Sequence, residues 1–131
     1  MPNLRTFDVF GCHVGPSGFC ALFEALRVGA TPRLTELNMQ KNAADDVSAF
    51  ALAGAITDGA TPNLEHLKLH MNCIGDDGGR ALAEAFAPLG MLPNLKCLGL
   101  TKNQLSDEAQ VVVRDVCKKR GIEVQLVLSD H

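Results

Sequence analysis

The chain has 131 residues, 47% of them hydrophobic and 21% charged, with a formal net charge of −3 at neutral pH. That length is one domain, and its acidic balance leaves no electrostatic footprint for nucleic acid, since Lys118-Lys119-Arg120 is the one basic run and suits a helix C-terminus. No apolar stretch is long enough to span a membrane and no signal peptide is visible, while five cysteines without paired spacing point to a reducing, cytoplasmic compartment rather than a disulfide framework.

In chain order, Leu4, Phe7 and Val9 predict a half-buried strand, followed by Cys12 and Val14 at a bend. The helix after it carries Gly18, Ala21, Leu22, Ala25 and Leu26 on its inward stripe. That arrangement leaves Phe19 and Phe23 four residues apart on an outer face. Either these two rings wrap partly onto the second helix or, as is expected here, a further unit or a second subunit covers this open N-terminal edge, as upstream repeats or by self-association. The joint Gly29-Ala30-Thr31-Pro32 ends the unit, glycine supplying a left-handed helix cap and proline barring continuation. Leu34, Leu37, Met39, Asn42, Ala44, Ala51, Leu52, Ala55 and Ile56 then repeat the pattern. Ala44 stands where the other units have a larger residue, so this unit is expected to pack least tightly there.

The third copy, LEHLKLHMNCIGDDGGRALAEAF over residues 64–86, is the most regular. Leu67 and Leu69 alternate as a strand, Asn72 serves backbone groups at the bend, and Gly75-Asp76-Asp77-Gly78 opens a helix with carboxylates at its positive end. The fourth copy places Leu95, Leu98, Leu100, Asn103, Leu105, Val112, Val113, Val116 and Cys117 in the same slots. Its helix turns Gln110, Arg114, Asp115 and Lys118 outward, stops at Gly121, and leads to a closing strand at Val124, Leu126 and Leu128. The first leucines recur at intervals of 30, 30 and 31 residues. The units are about 4–33, 34–63, 64–94 and 95–121, with the closing strand at about 123–128.

A fixed period of this size marks a solenoid. The L-x-x-L-x-L frame, the Asn42, Asn72 and Asn103 ladder with Cys12 on its first rung, and the A-L-x-x-A-L helix stripe resemble the leucine-rich repeat family, and the helix-bearing units resemble its ribonuclease-inhibitor-like class. The resemblance implies an α/β solenoid, with a curved parallel sheet on the concave side and helices on the convex side. It also implies protein recognition by the concave strands. A doubly wound sheet is the rival for strand-helix alternation, but its strands are continuous apolar runs, and here polar residues interleave on schedule.

In a parallel sheet of adjacent strands about 4.8 Å apart, equivalent slots form lateral rows. One row holds Thr6, Glu36, His66 and Cys97. The next holds Asp8, Asn38, Lys68 and Gly99. The third holds Phe10, Gln40, His70 and Thr101, and the last holds Gly11, Lys41, Met71 and Lys102. Asp8, Phe10, Asn38, Gln40, Lys41, Lys68, His70, Met71 and Lys102 are the candidate contact residues, with Phe10 and Met71 as apolar anchors and the lysines for orientation. His66 and His70 flank Lys68, so acidification from pH 7.5 to 5.5 is expected to add up to two positive charges there.

Glu36, His66 and Cys97 are the one row with metal-ligand chemistry, yet an open row is a poor zinc cage, and no metal or cofactor is expected. No serine-histidine-acid arrangement, phosphate-cradling glycine loop or H-E-x-x-H motif is present, so no catalytic residue is assigned and the chain reads as a binding protein rather than an enzyme. The alternatives are a structural C-terminal segment of a larger repeat assembly and a non-catalytic regulator of an enzyme such as a small GTPase.

Overall fold

The computed structural model describes residues 4–9, 11, 14–27, 33–59, 61–88 and 90–126. Strands and helices alternate: β1 (Thr6–Asp8), α1 (Gly15–Arg27), β2 (Glu36–Asn38), α2 (Asp46–Thr57), β3 (His66–Lys68), α3 (Asp76–Phe86), β4 (Cys97–Gly99), α4 (Asp107–Arg120) and β5 (Glu123–Gln125). The five strands form one sheet in sequence order. Every neighbouring pair is parallel, as it must be when each strand returns through a helix. The predicted register holds: Thr6, Glu36, His66 and Cys97 lie side by side, and so do Asp8, Asn38, Lys68 and Gly99.

The frame leucines face the helices. Leu34, Leu37, Met39, Leu64, Leu67, Leu69, Leu98 and Leu100 are all 2% exposed or less, and Leu52, Ile56, Leu82, Phe86, Val113 and Cys117 close over them. Behind the strands runs a ladder of asparagine amides. Asn72 Oδ1 accepts the backbone N–H of Asn42 and of Ala44, both at 2.9 Å, and its amide nitrogen donates to the carbonyls of Met39 and Leu69 at 2.9 and 3.1 Å. Asn103 repeats the arrangement, accepting from Ile74 N–H at 2.9 Å and donating to Leu69 at 2.8 Å. Each asparagine thus ties its own bend to the preceding unit, satisfying backbone groups that neither strand nor helix can reach. Cys12, the expected first rung, lies outside the described residues.

Carboxylates tie the helices in the same direction. Asp46 of α2 accepts the N–H groups of Gly75 and Gly78 at 2.7 and 3.1 Å, so α3 is capped by its neighbour, and its own N-cap glycine makes no side-chain bond. Asp76 of α3 accepts from Ser106 N and Oγ at 2.7 and 2.8 Å at the start of α4. Those two bonds hold the Asp76 carboxyl below the usual range. The equivalent position in α1 is Pro16, and α2 accordingly carries its own capping box, Asp45 with Ser48.

Phe19 and Phe23 are not on an open edge. They are 0% and 2% exposed and stack with ring centroids 5.9 Å apart, while Ala21 and Ala25, assigned to the inward stripe, are exposed. The phenylalanines point at the following unit. The equivalent residues are Ala49 and Ala53 in α2, Gly79 and Ala83 in α3, all buried, and then Gln110 and Arg114 in α4, where no described helix follows. Phe19 fills the room that Ala44 leaves. Two units on, Gly79 faces Leu105 so closely that a Cβ there would lie 2.6 Å from a leucine methyl. Large against small, medium against medium and none against large keep the helix spacing constant. A residual cavity of about 10 Å³ remains between Phe19, Phe23, Ala44, Ser48, Ala49 and Ile74, at the place where Ala44 is expected to loosen the packing, and Phe19 keeps it small. The apolar edge that is partly open belongs to Leu4, Phe7, Val9, Val14 and Leu22, half-buried where their counterparts in unit two are 2% exposed or less.

Gly59 (φ 77°) and Gly121 (φ 72°) take the left-handed conformation after their helices, but in the joint that is one residue longer it is Leu92 (φ 45°), not Gly90, that does so. Val112 is 39% exposed, and Ala109, Val113 and Cys117 form the buried face of α4. Arg120 does more than complement the helix dipole. Its guanidinium donates to the carbonyls of Phe86, Pro88 and Leu92, clamping the joint between α3 and β4. Val127 and Leu128 of the expected closing strand, like Gly29, lie outside the described residues.

Candidate strand-face interface

The open face of the sheet is built from the slots between the leucines, and its side chains differ in how far they are committed internally. Asp8 is exposed on β1. Asn38 is 8% exposed, donates to Asp8 Oδ2 at 3.4 Å and accepts Gln40 N–H at 3.2 Å, so its amide is held between its neighbours on the same face. Lys68 pairs with Glu36 at 3.1 Å. Glu36, His66 and Cys97 therefore share a row in which the carboxylate already has a cation, and among the described residues no three His, Cys, Asp or Glu side chains gather as a metal site. Burial, with Glu123 alongside, pushes the Cys97 thiol up, which keeps it protonated and weakly reactive.

His70 is a fixed part of the face. Its Nδ1 accepts the backbone N–H of Thr101 at 3.0 Å and lies 2.6 Å from the Thr101 hydroxyl. The neutral ring therefore carries its proton on Nε2. The ring lies over Gly99, where a Cβ would sit 2.1 Å from Nε2. Burial lowers the imidazole pKa, Gln125 opposes the shift by hydrogen bonding, and the Lys68 charge adds to it. His70 thus resists the protonation expected of it by pH 5.5. The sequence signal for this was Gly99 itself, a glycine inside a strand, which marks a close approach.

The strand-exit rim is different. Lys41, Met71 and Lys102 occupy one slot in successive units and all take left-handed backbone, with φ of 59°, 59° and 58°. Gly11, in the same slot, has φ 66°. The turn is imposed by the lateral ladder, in which Gly11 N–H donates to Gln40 O, Lys41 N–H to His70 O and Met71 N–H to Thr101 O, at 3.0, 3.1 and 2.8 Å. Left-handed backbone costs a residue with a Cβ on the order of 1 kcal/mol, and three units carry one there. Lys41 and Lys102 are exposed and Met71 is half-buried, which gives an apolar side chain flanked by two cations at strand spacing. Gln40 stands half-buried beside them. Phe10, the other proposed anchor, lies outside the described residues.

No helix among the described residues is long and apolar enough to cross a membrane. A family model described as "Leucine Rich repeat" matches residues 1–22 and 61–83, the first and third copies of the unit. No curated protein matches the sequence. Among solved structures, "Leiomodin-1 Actin-Binding Site 2 (ABS2)" is similar, with a TM-score of 0.78 and 17% identity, covering 98% of this chain and 73% of that one.

Proposed function

We propose that this leucine-rich repeat solenoid is a non-catalytic module that holds a protein partner along its strand-exit rim and open strand face. The observation that carries the reading is the row of Lys41, Met71 and Lys102, three side chains kept at left-handed positions where glycine would be cheaper. Thr101 and His70 make a rigid floor beside them, and the Lys68–Glu36 pair adds a fixed dipole. A flexible thioether between two lysines suits a partner surface with an apolar knob ringed by carboxylates. The leiomodin-1 structure of like fold is titled an actin-binding site, which supports protein recognition as a use of this architecture. The four described cysteines are all free thiols, in keeping with a reducing compartment.

The test is a triple substitution, Lys41→Ala, Met71→Ala and Lys102→Ala, measured against a partner isolated by affinity capture and, in parallel, against actin by co-sedimentation. Alanine keeps the backbone cost unchanged, so thermal stability is expected to stay within a degree or two, consistent with surface changes of less than about 0.5 kcal/mol. Affinity is expected to fall by about a hundredfold if the row lies at the centre of the interface. Unchanged affinity for every partner that the wild type binds sinks the strand-exit reading.

A further inference from the structure

The first unit of the sheet is covered on one side only. Strand β1 lies at the end of the strand order, with β2 as its one neighbour among the described residues. Unit two fills its preceding-side slots with Leu34, Leu37, Met39, Ala44, Leu52 and Ala55, all 2% exposed or less because unit one lies against them. Unit one holds Leu4, Phe7, Val9, Val14, Leu22 and Ala25 in the same slots. The first five are half-buried and Ala25 is exposed, and none of the six carries a charge. The backbone has the same phase. Glu36 N–H donates to Arg5 O and His66 N–H to Thr35 O, so the equivalent N–H of Thr6 is directed away from β2, on the side where an edge strand can take a partner. The other end of the row is unlike this one. Phe19 and Phe23, then Ala49 and Ala53, then Gly79 and Ala83 face a following unit, but α4 carries Gln110 and Arg114 there, and β5 exposes Glu123 and Gln125.

We infer that the apolar edge is a two-fold interface between two copies of the chain. In it β1 runs antiparallel beside β1 of the second copy, with Phe7 near the axis, and the two α1 helices pack through Leu22 and Ala25. The occupant follows from the unlike ends. A copy stacked head to tail would set Gln110 and the Arg114 guanidinium against Val14 and Leu22, taking a charge out of water with no partner in any of the six slots. It would also leave an open end for the next copy. An apolar edge is matched by the same edge, and a two-fold axis brings the two together and closes the assembly at two. The contact continues the one that unit one makes with unit two, apolar slots below and strand beside strand above. Leu22 and Ala25 lie one turn apart on α1, and the small alanine lets the helices approach. The two five-stranded sheets join into one, with the strand-exit rims of the two copies at opposite ends of it. The interface therefore does not use Lys41, Met71 or Lys102 and does not depend on the reading given to them.

Sedimentation equilibrium of the whole chain over a concentration series tests this, with one variant at each end. The wild type is expected to form a dimer that grows no further as concentration rises. Ala25→Glu puts a good helix former at an exposed helix position, so its circular dichroism should match the wild type. Two such carboxylates meet across the axis, and dimerisation should weaken about tenfold or more. Arg114→Glu, at the polar end, should leave dimerisation unchanged. Hydrogen exchange at residues 6–8 should slow with concentration, while residues 123–125 exchange as before. A monomer at every concentration overturns the assignment and leaves the edge to a cover other than a second copy. Assembly into ever larger species, undiminished association of well-folded Ala25→Glu, or loss of association in Arg114→Glu overturns it equally.

Discussion

At the scale of single residues, the left-handed slot separates folding from recognition. Lys41→Gly, Met71→Gly and Lys102→Gly remove a backbone cost of about 1 kcal/mol each, offset in part by the greater freedom of glycine in the unfolded chain. Thermal unfolding is therefore expected at equal or higher temperature for each variant, together with weaker partner binding. Variants that unfold earlier and bind normally would mean that these side chains serve the fold. His70 gives a pH dependence of fixed sign. The unfolded chain takes up a proton at His70 near its ordinary value of 6.5, while the folded chain resists because burial lowers its pKa. The folded state thus has its full stability above about pH 7 and loses some as pH falls through 6.5 toward the lowered value. In denaturant melts at pH 7.5 and 5.5, His70→Gln should reduce that loss. An unchanged difference between the two pH values would assign it to other groups. Gly99→Ala should displace the imidazole and remove its bond to Thr101, visible as a shift of the Thr101 amide resonance.

At the scale of elements, helix packing rests on paired sizes across neighbouring units. Phe19→Ala is expected to cost about 3–5 kcal/mol, because it opens a large cavity against a residue that is already small. Adding Ala44→Ile to it copies the Ala49 and Ile74 pairing of the next units and should recover about 1–2 kcal/mol of that loss, a positive coupling in a double-mutant cycle. Additive effects in that cycle would show that the two positions do not share one space. The sequence displays this compensation only when rows are compared across units. Within α1 alone, the regular stripe of Ala21, Leu22, Ala25 and Leu26 outweighs two phenylalanines. Across units, the polar Gln110 and Arg114 in the last helix reveal that the row faces a following neighbour. The caps behave similarly. Asp76 and Asp77 read from sequence as dipole partners of their own helix, whereas Asp46 and Asp76 cap the helix after theirs, a contact that no local pattern encodes.

At the scale of the whole molecule, the period of 30 or 31 residues made strand order, register and the asparagine ladder legible, since a lateral row is simply an equivalent slot repeated. What stayed hidden were side-chain commitments across strands and joints: the Asn38–Asp8 bond, the Glu36–Lys68 pair and the Arg120 clamp, each depending on distances that one unit does not encode. The partly open apolar edge at Leu4, Phe7, Val9 and Val14 remains a surface on which stacking against a further unit or another copy is proposed. That stacking draws nothing from Phe19 and Phe23. Hydrogen exchange of the chain with and without a captured partner shows whether the strand-exit rim meets that partner. Slower exchange is expected at the amides of residues 40–42, 70–72 and 101–103 in the complex, with the outer turns of α2 and α3 unchanged. Protection confined to those helices, with the rim exchanging as in the free chain, would contradict it.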